Sequence, residues 1–432
     1  MVKKSNSHQY QKQQQKQQQK QQQHRFSQAA QQQRILVGLI LFCVVPLLLH
    51  NGTDSTRRLQ KLMQLQLQWM NNNSATSANS STSSTSTSSD TATLLSSHNA
   101  ARSRSISILD YTRSHRPLVA PCEHPFVEVR DRIVPDDDYL RGVRRIPRQL
   151  HIAWITAVST PTTSSKKVHK ETTRDFRCLH YQQAKAIDMW KERLPNYSVY
   201  FHDNYAVDAL MEQSNWPEFP QLSLVLKCFQ MKSAMLIDLW RQLVLYQFGG
   251  FYSDMDVMPG PNYTSDTVPP NVDFFSLSDG AKRPSQWHFG MSPHHPVAYY
   301  SVLEILKRVL DLPDVTKPNL VFTTGPDALK HAYGKCFSWS KDHDIFADGV
   351  YHGCYNTTAR KIGHEHYDEY VYQTINDMVE VNVPGQGMRN MTVRQQLKHD
   401  AGQKHWTEQQ NDIRLTVSAI SCWDHLYQLE QQ

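Results

Sequence analysis

The run FQMKSAMLIDLWRQLVLYQF, residues 229–248, passes directly into Gly249, Gly250 and FYSDMDV, and this succession narrows the available folds more than any other feature. Apolar residues recur at helical spacing up to the glycine pair, where a left-handed cap carries no Cβ penalty. FYSDMDV then reads as a strand. A long apolar helix followed at once by a strand must bury itself on a sheet. Neighbouring segments continue the alternation: RQLHIAWI (148–155) as a strand, CLHYQQAKAIDMWKERL (178–194) as a helix ended before Pro195, and YSVYFHD (197–203) as a strand. Together they predict an α/β domain with a mostly parallel central sheet.

Asp254 and Asp256 stand two residues apart in the last of these strands. On a strand, side chains at i and i+2 point to one side, so the carboxylates converge while Met255 turns into the packing. Such a pair at a strand's carboxyl end can share a hard divalent cation, Mn²⁺ or Mg²⁺, where open α/β sheets commonly bind ligands. Two other D-x-D copies, Asp136/Asp138 and Asp342/Asp344, fall in a charged stretch and a polar loop, and read as solvated turns. The helix supplies a second pair. Asp238 and Arg241 are the only charges in AMLIDLWRQLVLYQF, and at i, i+3 they share a face. Exposed pairs of this kind are common and weak; here the apolar neighbours imply partial burial, where each charge needs the other or a ligand.

Taken together, D-x-x-R, G-G-x-Y and D-x-D at fixed offsets in SAMLIDLWRQLVLYQFGGFYSDMDV resemble the signature of the DXD-containing sugar-binding glycosyltransferases, glycosyltransferase family 32. That family includes the fungal initiation-specific α-1,6-mannosyltransferase and animal α-1,4-glycosyltransferases. IPRQLHIAW (146–154) and TTGPDAL (323–329) occur in family-like order around it. The resemblance implies a GT-A-like nucleotide-sugar-binding domain and a metal-dependent, retaining transfer of a hexose to a glycan or glycolipid acceptor. It points to mannose from GDP-mannose, with UDP-sugar-dependent α-1,4-galactosyl or N-acetylglucosaminyl transfer as the alternative. It implies that Trp154 stacks on the base and that Asp238 and Arg241 contact the donor sugar and phosphate. Tyr252 would touch the nucleotide, Asp254 the ribose or the metal side, and Asp256 the metal itself. Ile237 and Gln242 depart from the family's usual Ser and Tyr, and KHDAGQKHW only loosely matches its C-terminal element, leaving His399, His405 and Trp406 as weaker candidates. A glycan-binding pseudoenzyme, or a scaffold organised by the Gln-rich tail, is the reading from another class.

The rest of the chain concerns placement. Residues 1–34 carry seven Lys/Arg and no acid, so 39 basic against 40 acidic residues remain beyond them, a net of −1. The overall +6 is therefore a property of the tail and no nucleic-acid-binding face is implied. This Gln/Lys-rich tail reads as disordered and cytosolic. Residues 35–49, ILVGLILFCVVPLLL, form an uncharged apolar run that is short against the roughly 17 to 25 residues of a usual span. A signal-peptide core competes; the long basic lead and the lack of a small-x-small cleavage site favour a signal anchor in a thin Golgi or endoplasmic reticulum membrane. Residues 50–120 read as a Ser/Thr-rich stem, with RRLQKLMQLQLQWM a segment through which two copies could associate, and 121–432 as the lumenal catalytic domain. Six cysteines lie beyond the span, enough for three disulfides in an oxidising compartment, Cys336–Cys354 being the nearest pair. Seven glycosylation sequons, at Asn51, Asn72, Asn79, Asn196, Asn262, Asn356 and Asn390, fit the same placement.

Overall fold

The structure, a computed structural model, describes residues 108, 111, 121–154, 178–212, 216–229, 232–337, 347–383, 386–401 and 418–431. The expected tail and span, and nearly all of the expected stem, lie outside the described residues. Among the described residues no helix is long and apolar enough to cross a membrane.

A seven-stranded sheet organises the domain. In chain order its strands are β2 (Gln149–Ala153), β4 (Ser198–His202), β5 (Gly250–Ser253), β7 (Phe274–Ser278), β8 (Pro284–Met291), β9 (Gly349–His352) and β10 (Thr358–Ile362), in the spatial order β4-β2-β5-β8-β7-β10-β9. Two-stranded pairings lie outside it: β1 (Phe126–Glu128) with β3 (Cys178–His180), β6 (Val257–Pro259) with β11 (Val371–Gln373), and β12 (Met378–Val383) with β13 (Gly387–Thr392). The pairs β2–β4, β2–β5 and β7–β10 are parallel, while β8 and β9 run against their neighbours. Five of the seven strands thus share one direction, the mostly parallel arrangement expected, with β8 inserted as an antiparallel member.

Strand alternation sends successive side chains to opposite faces. Leu150, Ile152 and Phe251 enter one core with Ile187 and Trp190 of α1 (Tyr181–Arg193). Ala153, Tyr252 and Phe289 enter the other, together with α2 (Asn204–Glu212), α3 (Lys232–Phe248), α4 (Pro296–Leu310) and α5 (Pro326–Cys336). Leu239, Trp240, Leu243 and Val244 of α3 are wholly buried. Each such side chain contributes on the order of 1.5–3 kcal/mol by leaving water.

The segment expected as one helix from Cys178 begins instead with β3, and α1 starts at Tyr181. The cause is local: Cys178 is bridged to Cys122, and the buried His180 ring accepts a hydrogen bond from the Gln182 amide as the helix cap. The Cys336–Cys354 bridge forms as expected from proximity, and Cys228 joins Cys422 across 194 residues. Two described residues before 121 also pack on this core. Tyr111 is 2 % exposed, donates its hydroxyl to the Ala206 carbonyl at 2.6 Å and stacks on Phe248, with Ile108 packed on the same core. Asp136 and Asp138 are not solvated turns either. Asp136 caps a short helix and accepts the Arg148 amide, and Asp138 pairs with the Arg148 guanidinium at 2.7 Å, fixing the entry to β2. Asp342 and Asp344 lie outside the described residues.

The glycine turn behaves as the sequence implies. Gly249 and Gly250 have φ of +68° and +91°, the region that disfavours a side chain. A Cβ on Gly250 would come within 2.5 Å of the Gln149 carbonyl oxygen. The turn is further tied to β2, because the neutral His151 ring lies 3.1 Å from the Gly249 carbonyl, its pKa pushed down to about 4 by burial. Gly250→Ala is expected to lower stability by more than about 1 kcal/mol, read as a fall in the urea midpoint of the folded protein.

Candidate active site

Strands β2, β4 and β5 run in one direction, and their carboxyl ends bring the D-x-D region to one edge of the sheet: Ile152 lies opposite Ser253, and Ala153 opposite His202. Trp154 and Asp254 are the next residues along β2 and β5. The strand does not continue through the acids, as the sequence suggested. β5 ends at Ser253, and a turn closes with the Val257 amide donating to the Asp254 carbonyl at 3.1 Å before β6 begins. The turn is dictated by anchors from elsewhere in the chain. The Asp254 amide donates to the Trp287 carbonyl of β8 (2.8 Å), the Asp256 carbonyl accepts the Thr374 amide (2.9 Å), and the Val257 carbonyl accepts Trp190 Nε1 of α1 (2.8 Å). Met255 packs into the core as expected.

Behind the turn sits the charge network of α3. Arg241 places Nη2 2.9 Å from Asp238 Oδ1 and 3.6 Å from Asp254 Oδ1. Its Nη1 donates to the Gln286 carbonyl at 2.7 Å, its Nε to Ile237, and its guanidinium lies 4.7 Å from the centre of the Tyr252 ring. Asp238 accepts on its other oxygen from the Thr324 hydroxyl at 2.6 Å, a residue of the TTGPDAL segment. The Tyr252 hydroxyl donates to Asp254 Oδ1 at 2.6 Å. The pairing expected between Asp238 and Arg241 is thus present, partly buried, and extended to Asp254. Tyr252 is 1 % exposed. Its side chain meets Arg241, Asp254 and the edge of Trp240, so what it does in this structure is hold Asp254.

The electrostatics follow from that burial. Burial works against the charge on Arg241, but Tyr252, Asp254 and Asp238 around it raise its pKa above the ordinary value. Burial raises Asp238 and Asp254, with Arg241 opposing both shifts. Asp256 is pushed up to about 6, first by burial and then by the neighbouring Asp254 charge, against pulls from Arg394 and Arg241. The two carboxylates therefore feel each other. They are hard oxygen donors at one edge, the set that suits a cation completing its shell with phosphate oxygens and water. Among the described residues, no group of three or more His, Cys, Asp or Glu side chains stands ready as a metal cage.

Trp154 is partly buried, and its indole Nε1 has no hydrogen-bond partner among the described residues. Gln242 is 0 % exposed with both amide atoms unpartnered among the described residues, and Ile237 packs on the core. His399 is exposed and pairs with Asp400, which also meets His180; His405 and Trp406 lie outside the described residues. His294 and His295 serve structure, His295 capping α4.

One residue at the site has no motif to announce it. Arg394 opens α6 (Val393–Ala401), a helix begun by a reciprocal cap in which Thr392 and Gln395 each bond the other's amide. Its backbone amide donates to Ile375, adjacent to the Thr374 that holds Asp256. Only the return of the chain after β11 brings it there.

The site is thus a carboxylate pair at the carboxyl edge of a mostly parallel sheet with a buried arginine beneath it. The glycosyltransferase sugar-binding region containing DXD motif matches residues 180–275, which span α1, α3, the glycine turn and both aspartates. Those residues are thus similar to a glycosyltransferase sugar-binding region. No curated protein sequence gives a significant match. Solved structures similar to part of the chain include the PaToxG glycosyltransferase, at 15% identity and TM-score 0.31 over 44% of this chain and 69% of that one. The ligand-free glycosyltransferase domain from the YGT toxin is similar at 9% identity and TM-score 0.30, over 44% of this chain and 78% of that one.

The raised Asp256 pKa has a consequence for stability. The folded state binds its proton more tightly than the unfolded chain, so stability is highest below the unfolded value and falls as pH rises through about 6. Without added metal, Asp256→Asn is expected to raise stability by about 1–3 kcal/mol near neutral pH. The gain should vanish toward pH ~4, as read from urea midpoints across that range.

Proposed function

We propose that the protein is a metal-dependent retaining hexosyltransferase that moves a sugar from a nucleotide donor to a glycan or glycolipid acceptor. The observation that carries the reading is the Asp254–Asp256 turn, held at the sheet edge by backbone bonds from three elements and charged against one arginine. Asp254 Oδ2 and the Asp256 carboxylate would hold Mn²⁺ or Mg²⁺; when bound, the ion neutralises the charge that grows on the departing diphosphate. The chain's own groups do the rest. Trp154, partly buried at the end of β2, would offer a ring face to the base. Asp238 and Arg241, fixed to each other and with Arg241 reaching Asp254, would contact the sugar and phosphate of the donor, on the motif resemblance. Arg394 adds a positive charge on the Asp256 side.

GDP-mannose is the first donor to test and a UDP-hexose the second, both on the motif resemblance. Three disulfides, with sequon asparagines 262, 356 and 390 exposed, support an oxidising lumen. A type II anchor over residues 35–49, in the Golgi or endoplasmic reticulum, and association through the stem complete this reading.

The test is Mn²⁺-dependent hydrolysis of a panel of nucleotide sugars by the full chain. One donor should turn over and chelation should stop it; Asp256→Ala should cost about 10²-fold or more and Arg394→Met about 10-fold. Activity should also fall below pH ~6, where Asp256 takes up a proton that competes with the cation. No turnover with any donor, or full activity of Asp256→Ala, would overturn the proposal.

A further inference from the structure

The chain between β9 and β10 turns on two residues with left-handed backbone. Tyr355 has φ of +52° and ψ of +33°, and Asn356 has φ of +58°. The Thr357 amide donates to the Cys354 carbonyl at 3.1 Å, closing a turn of the mirror-image type that needs positive φ at both central residues. Asparagine enters this region readily, whereas a tyrosine stays there only where its surroundings hold it. Here the Cys336–Cys354 bridge ties the turn to α5, and the Thr357 hydroxyl donates to the same Cys354 carbonyl at 2.8 Å. Both side chains face solvent. Tyr355 is 64 % exposed, and the exposed Asn356 amide makes no hydrogen bond among the described residues.

Asn356 opens Asn-Thr-Thr, an acceptor sequence for an N-linked glycan. Three other such asparagines lie among the described residues. Asn196 is half-buried and accepts the Ser265 hydroxyl, Asn262 donates its amide to Glu369 at 3.0 Å, and Asn390 on β13 is exposed. Of the four, Asn356 alone follows an aromatic residue. A second ring stands beside that one: burial, and then a hydrogen bond with Tyr355, raise the pKa of Tyr300 on α4. Aromatic surface held in one place at the protein's exterior offers a face to the C–H groups of a sugar ring. Strand β10 runs with β7, and both run with β5. The turn before β10 therefore lies at the amino edge of the sheet, opposite the D-x-D turn, where a bulky group leaves the candidate active site open.

We propose, on the lumenal placement given above, that Asn356 carries an N-linked glycan whose first sugar packs on Tyr355 and Tyr300. The donor class is an oligosaccharide carried on a polyprenyl diphosphate, transferred by an enzyme of the host cell. The Asn356 amide nitrogen forms a bond to C1 of the first sugar as the C1–O bond to the diphosphate breaks. The diphosphate leaves with the electron pair, and the amide gives one proton to a base of the transferring enzyme. Thr358, the hydroxyl residue of the acceptor sequence, is buried in β10, so the transfer precedes folding.

The full chain, produced in cells with a secretory pathway, is digested and treated with peptide N-glycosidase in heavy-oxygen water, and each acceptor is read by mass spectrometry. Label is expected at Asn356. Label at Asn390 or at the stem acceptors Asn51, Asn72 and Asn79, without label at Asn356, would overturn this site and leave the lumenal placement standing. Label at none of them would overturn both. The packing is tested on the folded glycoprotein, where glycosidase should release the Asn356 glycan about threefold or more faster in Tyr355→Ala than in the unmodified sequence. Tyr427→Ala, at a tyrosine exposed elsewhere, should leave the rate unchanged. An unchanged rate in Tyr355→Ala would overturn the packing of the sugar on that ring.

Discussion

Arg241 faces three carboxylates from within a nearly dry cluster, and the geometry of the site depends on that imbalance. It bonds Asp238 directly, reaches Asp254 at longer range and leaves Asp256 to the edge. Removing the arginine would strand at least one buried carboxylate, a change that typically costs about 3–5 kcal/mol. A single cation cannot satisfy three anions. The remaining negative potential is felt at Asp256, whose pKa burial and the Asp254 charge raise to about 6.

Position at the edge is achieved by backbone rather than by side-chain packing. Strand β8 takes the Asp254 amide, α1 takes the Val257 carbonyl through an indole, and the segment after β11 takes the Asp256 carbonyl. Groups from three distant parts of the sequence thus fix the turn without using either carboxylate. Arg394 arrives by the same route, since its helix is bonded to the segment that holds Asp256. The antiparallel insertion of β8 into an otherwise parallel run is what makes the first of these anchors available.

Local features of this architecture were legible in the sequence. The apolar helix, the left-handed glycine pair, the strand at 198–202 and the Asp238–Arg241 pairing all follow from spacing, and the structure contains each. What sequence could not give was set by contacts between remote residues. The end of β5 at Ser253 depends on Trp287 and Thr374, and the burial of Tyr252 depends on Arg241 standing over its ring. The Cys228–Cys422 bridge spans 194 residues and has no local signal. Arg394 sits in an unremarkable polar helix, and its relevance exists only in three dimensions.

The aromatic plug supplied by Tyr111 sets where a folded fragment of this chain must begin. Its ring stacks on Phe248, at the foot of the long helix, and on His202, while its hydroxyl caps the Ala206 carbonyl at the start of another helix. A protease cutting after this tyrosine, or a recombinant fragment started after it, would remove part of the core. It would open a ring-sized void beneath the helix that carries Arg241, a loss on the scale of about 3–5 kcal/mol for a buried aromatic. A fragment keeps the long helix seated on its full core only where it starts upstream of that plug.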